Sequence, residues 1–119
     1  MLDFLIVGLG GALGAVLRHL ISLLPLQMES GFPVKTFLIN IIGSFLIGIV
    51  AAWSEKNGLD SRLVLFLRVG ICGGFTTFSS FALETHSLLS KGSVTTAVCY
   101  AVLSFTCGLL AILAAEKII

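Results

Sequence analysis

The residue types that could do chemistry converge on one short run, Gly73-Gly74-Phe75-Thr76-Thr77-Phe78-Ser79-Ser80-Phe81, followed by Glu84. Apolar sequence flanks it on the N-terminal side. Two adjacent glycines weaken a helix by about 2 kcal/mol relative to alanine. Thr76 and Thr77 are β-branched, and their hydroxyls compete for backbone hydrogen bonds. The run therefore predicts a break in a helix. Backbone groups freed within a bilayer are costly, so a break there persists only where protein, water or an ion satisfies them. Unwound carbonyls at mid-membrane depth are one way to hold a cation such as Na⁺.

Phe75, Phe78 and Phe81 recur every three residues, which predicts a shared face on a resumed helix. Packing alone explains such a stripe, but Ser79, Ser80 and Glu84 lie among the rings. Ser80 and Glu84 are four residues apart and so are neighbours on a helix. Glu84 either faces a cavity or partner, or marks the interfacial end of its helix. Asn40 is the one amide in the apolar run 37–50. It serves either as a hydrogen bond between helices or as an uncharged donor to an anion in a pore. Tyr100 and Ser104, again four apart, add two hydroxyls to one face.

Cys72, Cys99 and Cys107 fall in apolar stretches with no CxxC motif and no histidine at ligand spacing, which predicts packing thiols. His19 and His86 are isolated, and no Ser/His/Asp or metal-ligand set appears, so an enzyme is not expected.

The elements that carry these residues follow from composition. Of 119 residues, 57% are hydrophobic and 11% charged, with seven Lys or Arg against six Asp or Glu. A soluble domain carries about 25% charged residues. Mean hydropathy is +1.13. These values exclude disorder, and the balanced, dispersed charge speaks against nucleic acid as a partner. An integral membrane protein remains, with lipid as its surroundings. About 20 helical residues cross the hydrocarbon core. Charge-free runs at 4–17, 36–54, 69–83 and 92–115 then predict four helices, at about 4–24, 34–53, 62–89 and 93–115, forming one domain. The loops around Pro25 and Pro33, around Asn57 and Gly58, and at Lys91-Gly92 are short. Asp3 stands where a signal peptide would carry positive charge. Lys56, Arg62 and Lys117 lie on the side of the termini and Lys35 and Lys91 on the other, almost without bias. That evenness is either a weak topology signal or the mark of a chain that inserts both ways and pairs antiparallel with itself. Small residues at Gly10/Gly14, Ser44/Gly48, Gly70/Gly74 and Ser104/Gly108 are spaced for close helix contact.

With Gly10-Gly11-Ala-Leu-Gly14-Ala-Val-Leu-Arg18, Pro33, Thr36-Phe-Leu-Ile-Asn40-Ile-Ile-Gly43-Ser-Phe-Leu-Ile-Gly48, the Gly73–Phe81 run and Glu84, the chain resembles the CrcB/Fluc family of fluoride channels over essentially its whole length. Ser80 stands where many members carry threonine. The resemblance implies an all-α membrane protein whose third helix is broken at mid-membrane. It implies an antiparallel, dual-topology homodimer that exports fluoride passively across the plasma (inner) membrane through two pores. It implies a structural sodium ion at the dimer centre on the backbone carbonyls of Gly73 and Thr76. It assigns Asn40, Phe78 and Phe81 to the pore, Ser80, Tyr100 and Ser104 to the polar track beside it, and Arg18 to assembly or a vestibule. The chemistry suits a small, strongly hydrated anion, which needs close donors without a fixed positive charge to trap it. A small multidrug-resistance-type transporter is the alternative, but it requires a first-helix carboxylate, and 4–24 contains none.

Overall fold

A computed structural model describes residues 1–119. All regular structure is helical. Helix α1 spans Leu2–Ser22 and stops short of Pro25, and α2 spans Val34–Asn57. Gly58, at φ +63°, terminates α2 in the left-handed conformation that glycine adopts without a Cβ penalty. The third segment opens at Asp60, whose carboxylate accepts the Arg62 N–H at 2.8 Å. It runs continuously through Ser61–Val64, Leu65–Cys72 and Gly73–Phe75, here together called α3. Thr76 and Thr77 are then extended, with ψ of 158° and 115°. Helix α4 follows at Phe78–Ser90 and, after a tight turn at Gly92 (φ +81°), α5 at Val94–Ile118.

Four segments are long and apolar enough to cross a membrane, in agreement with the expected count: α1, α2, Ser61–Ser90 and α5. Only 17 of 119 residues are buried, and 7472 Å² is accessible. A water-soluble monomer of this mass exposes about 6,200 Å². The excess is apolar, with Phe4, Leu9, Phe78 and Phe105 each more than 60% exposed.

Glycine sets the packing. On α1, a Cβ at Gly10 would lie 2.8 Å from the Gly70 Cα, and one at Gly14 would strike the Ile71 carbonyl and the Phe75 nitrogen. From α3, Gly74 abuts the Gly11 carbonyl in the same way. Between α2 and α5, a Cβ at Gly48 would meet the Ala115 Cβ at 2.9 Å. All these neighbours but the last are backbone and cannot swing aside. Gly14→Val is accordingly expected to lower the unfolding midpoint in detergent by an overpacking cost of at least about 1–3 kcal/mol. Gly8→Val, whose Cβ would meet nothing within 4 Å, is the control. Equal midpoints for the two variants would show that α1 does not need this close approach.

Residues Leu65–Cys72 form a π-helix, in which the Gly73 N–H reaches back five residues to the Arg68 carbonyl. Such turns are rare and usually occur singly, often near functional sites. Nothing in the residue types of Leu65–Cys72 marks it. Nor does the shared phenylalanine face hold. Phe75 precedes the extended pair and is buried, whereas Phe78 follows it and is 79% exposed. Two extended residues between them cancel the helical periodicity on which that expectation rested.

Candidate functional site

Asn40 on α2 reaches the extended residues and binds Thr77 twice. Its Nδ2 donates to the Thr77 carbonyl at 3.1 Å, and its Oδ1 accepts the Thr77 N–H at 2.9 Å. Thr77 also starts α4, since its Oγ1 accepts the Ser80 N–H at 3.1 Å. Buried Thr77 is thus satisfied on its carbonyl, N–H and hydroxyl. Thr76 turns its own hydroxyl back to the Cys72 carbonyl at 2.9 Å.

Two cavities of about 420 Å³ each meet at this residue, for Thr77 lines both. The first is lined by Asn40, Gly73, Thr76, Phe78, Phe81 and Ser104, among others. The Phe78 and Phe81 rings lie 6.0 Å apart between centroids, inclined at 49°. The Ser104 Oγ is buried here without a hydrogen-bond partner. A hydroxyl so placed has a proton available for a guest, and leaving it unpaired has a cost. The second cavity is polar, with Arg18, Lys35, Thr36, Ser80 and Glu84 on its walls. The Arg18 Nε is likewise buried without a partner. Lys35 Nζ donates to the Ser22 carbonyl at 2.9 Å, placing a cation at the C-terminal end of α1.

Glu84 faces the second cavity rather than ending its helix, which continues to Ser90. Its Oε2 accepts the Thr36 hydroxyl at 3.0 Å and its Oε1 the Tyr100 hydroxyl at 3.3 Å. Tyr100 is fully buried and lines neither cavity. It stands behind Phe81, with ring centroids 5.0 Å apart, and behind Phe32 at 5.3 Å. The expected site residues therefore divide. Asn40, Phe78, Phe81 and Ser104 share the first cavity with Gly73 and Thr76, Ser80 lies in the second, and Tyr100 supports both from the protein interior.

A family model described as "CrcB-like protein, Camphor Resistance (CrcB)" matches residues 5–115. The chain belongs to the CrcB-like family. Relatives named "Fluoride-specific ion channel FluC" are similar to it. That of Azobacteroides pseudotrichonymphae is 44% identical over 110 residues, covering 91% of this chain and 88% of the relative. That of Clostridium perfringens is 44% identical over 116 residues, covering 96% and 91%. That of Shewanella pealeana is 48% identical over 99 residues, covering 82% and 80%. These are names of ion channels, not of enzymes, and they do not favour the small multidrug-resistance-type alternative.

In this CrcB-like chain Thr77, expected only to weaken its helix, stands at the centre of the site, and Thr36 and Lys35 join it unexpected. Thr77 carried a usable signal, because Thr-Phe-Ser-Ser places a hydroxyl three residues ahead of an N–H, the spacing of an N-cap. Thr36 and Lys35 carried none, since their partners lie 48 and 13 residues away in the chain.

Proposed function

We propose that the chain is a fluoride channel of the plasma membrane, carrying the ion passively as an antiparallel homodimer with two pores. The observation that carries this is the meeting of Asn40, Phe78, Phe81 and the unpaired Ser104 hydroxyl around one cavity at the helix interruption. Fluoride holds water tightly, so a path for it must offer close donors in place of hydration. One Asn40 N–H is engaged by Thr77, and the other is left for an anion. Aromatic rings have a positive edge, and Phe78 and Phe81 offer ring C–H groups to the ion. The second cavity, with Arg18 and Lys35, gathers anions at one mouth, and Ser80 hands them to the Thr77 partition. The relatives' printed names support fluoride as the ion.

The dimer covers the bare aromatic face of the first cavity, where Phe78 is 79% and Phe105 72% exposed. The even division of Lys and Arg between the two sides suits insertion in both orientations. The interruption at Thr76–Thr77 then falls at mid-membrane depth, and a sodium ion sits there between the two copies. The residues present fit it. Thr77 directs its N–H to Asn40, so the Gly73 carbonyl lacks the donor a continuing helix would supply. The extended ψ of Thr76 swings its carbonyl away from the helical direction, and Gly73 is exposed toward the same cavity. Two carbonyls from each copy form a hard-oxygen set suited to Na⁺. The cation supplies positive charge beside the anion path, where Coulomb attraction is only weakly screened.

Liposomes bearing the purified protein test this function. Fluoride efflux, followed with a fluoride electrode, is expected to exceed chloride efflux by orders of magnitude. Equal efflux of the two ions, or none of either, would overturn it.

A further inference from the structure

Asn40 has a second task that its place beside the anion path does not require. The amide clasps the backbone of Thr77 at both its N–H and its carbonyl, at 2.9 and 3.1 Å. In an uninterrupted α-helix the Thr77 N–H would bond to the carbonyl four residues back, which is that of Gly73. The clasp removes this donor from the helix and leaves the Gly73 oxygen free. It also fixes the extended pair, because Thr77 can start α4 through Ser80 only when it stands outside the helix.

We infer that Asn40 is the positioning residue of the cation site, holding the Gly73 carbonyl available and thereby tying cation affinity to the anion path through one side chain. The inference rests on the sodium site proposed above. One amide serves both ions: its oxygen and one N–H keep the cation carbonyls in place, and its second N–H remains for the anion. No other side chain hydrogen-bonds to the Thr77 N–H or carbonyl. Gly43, one turn further along α2, keeps the approach close, since a Cβ there would strike the Thr76 Cγ2.

The test uses the full chain in detergent. Thermal protection is titrated with sodium at constant ionic strength, choline making up the balance, and fluoride flux is measured in parallel. Asn40→Asp keeps an acceptor for the Thr77 N–H but loses the amide donors. It is expected to need no more sodium for half-protection than the parent, because the added carboxylate attracts the cation, while losing fluoride flux. Asn40→Leu removes the clasp, returns the Thr77 N–H to Gly73, and is expected to raise that concentration by about tenfold or more. The melting temperature without sodium reports structural damage separately. If Asn40→Leu fails to fold, Asn40→Ser, too short to reach the Thr77 N–H, replaces it with the same expected shift. An unchanged sodium midpoint in the clasp-deficient variant overturns the inference while leaving the sodium site intact. No sodium protection of the parent protein removes the site and the inference together.

Discussion

Replacing Phe78 with isoleucine is expected to cut fluoride flux by at least about tenfold while the protein stays folded and keeps the parent's oligomeric state. The two effects separate because Phe78 contributes little to its own chain's interior. It is 79% exposed, and its one aromatic neighbour is Phe81 at 6.0 Å. Isoleucine is apolar, so the lipid-facing or partner-facing surface changes little, and a surface substitution of this kind shifts stability by about 0.5 kcal/mol or less. What isoleucine lacks is the polarised ring edge, an electrostatic feature that matters most where water is excluded. A transport barrier raised by about 1.4 kcal/mol is a tenfold slower flux. Efflux from liposomes reports the rate, and crosslinked mass in the same preparation reports the oligomeric state. Parental flux in this variant would take the ring off the ion's path. Phe81 is not an equivalent target, because it packs on Tyr100 at 5.0 Å and its loss disturbs the core as well.

That difference between two phenylalanines three residues apart marks how far the sequence was legible. The four spans were readable because each is a long apolar run, and hydropathy reports the medium a segment lies in. The extended backbone of Thr76 and Thr77 falls where Gly73-Gly74 and Thr76-Thr77 each weaken a helix by known local effects. The π-helical Leu65–Cys72 left no trace, since a shift from i→i−4 to i→i−5 bonding alters neither composition nor hydropathy. The grouping of site residues was hidden for a different reason. Asn40 meets Thr77 across 37 residues of chain, and Thr36 meets Glu84 across 48. Helical spacing orders neighbours along one element but does not say which faces of two elements meet. Tyr100 and Ser104 share one face of α5 by spacing, yet the tyrosine is sealed behind Phe81 while the serine opens on the cavity. Helix α4 makes the difference, because its Phe81 ring packs over the tyrosine.

Tyr100 is where the largest loss of stability is expected. It is the largest fully buried side chain, wedged among Phe32, Phe81, Leu88 and Ala97. Tyr100→Ala leaves an aromatic-sized void, and substitutions of this kind cost about 3–5 kcal/mol. In a bilayer the lower end applies, because lost packing rather than lost water exclusion supplies the penalty. That is a large share of the stability of a chain this small, so little folded protein is expected in detergent at 37 °C. Tyr100→Phe keeps the ring and removes only the hydroxyl, leaving the Glu84 Oε1 without its donor while Thr36 still holds Oε2. The variant is expected to fold, with a loss of about 1–3 kcal/mol. Thr36→Val removes the other donor at similar cost. Because both hydroxyls restrain one carboxylate, the double variant should not lose the sum of the two. Once the first donor is gone the Glu84 carboxylate, which already lines the second cavity with Arg18 and Lys35, is freer to shift toward those cations, and the second deletion then costs less. Unfolding midpoints of the four proteins measure this coupling. Strict additivity would mean that the carboxylate is fixed by something other than Tyr100 and Thr36.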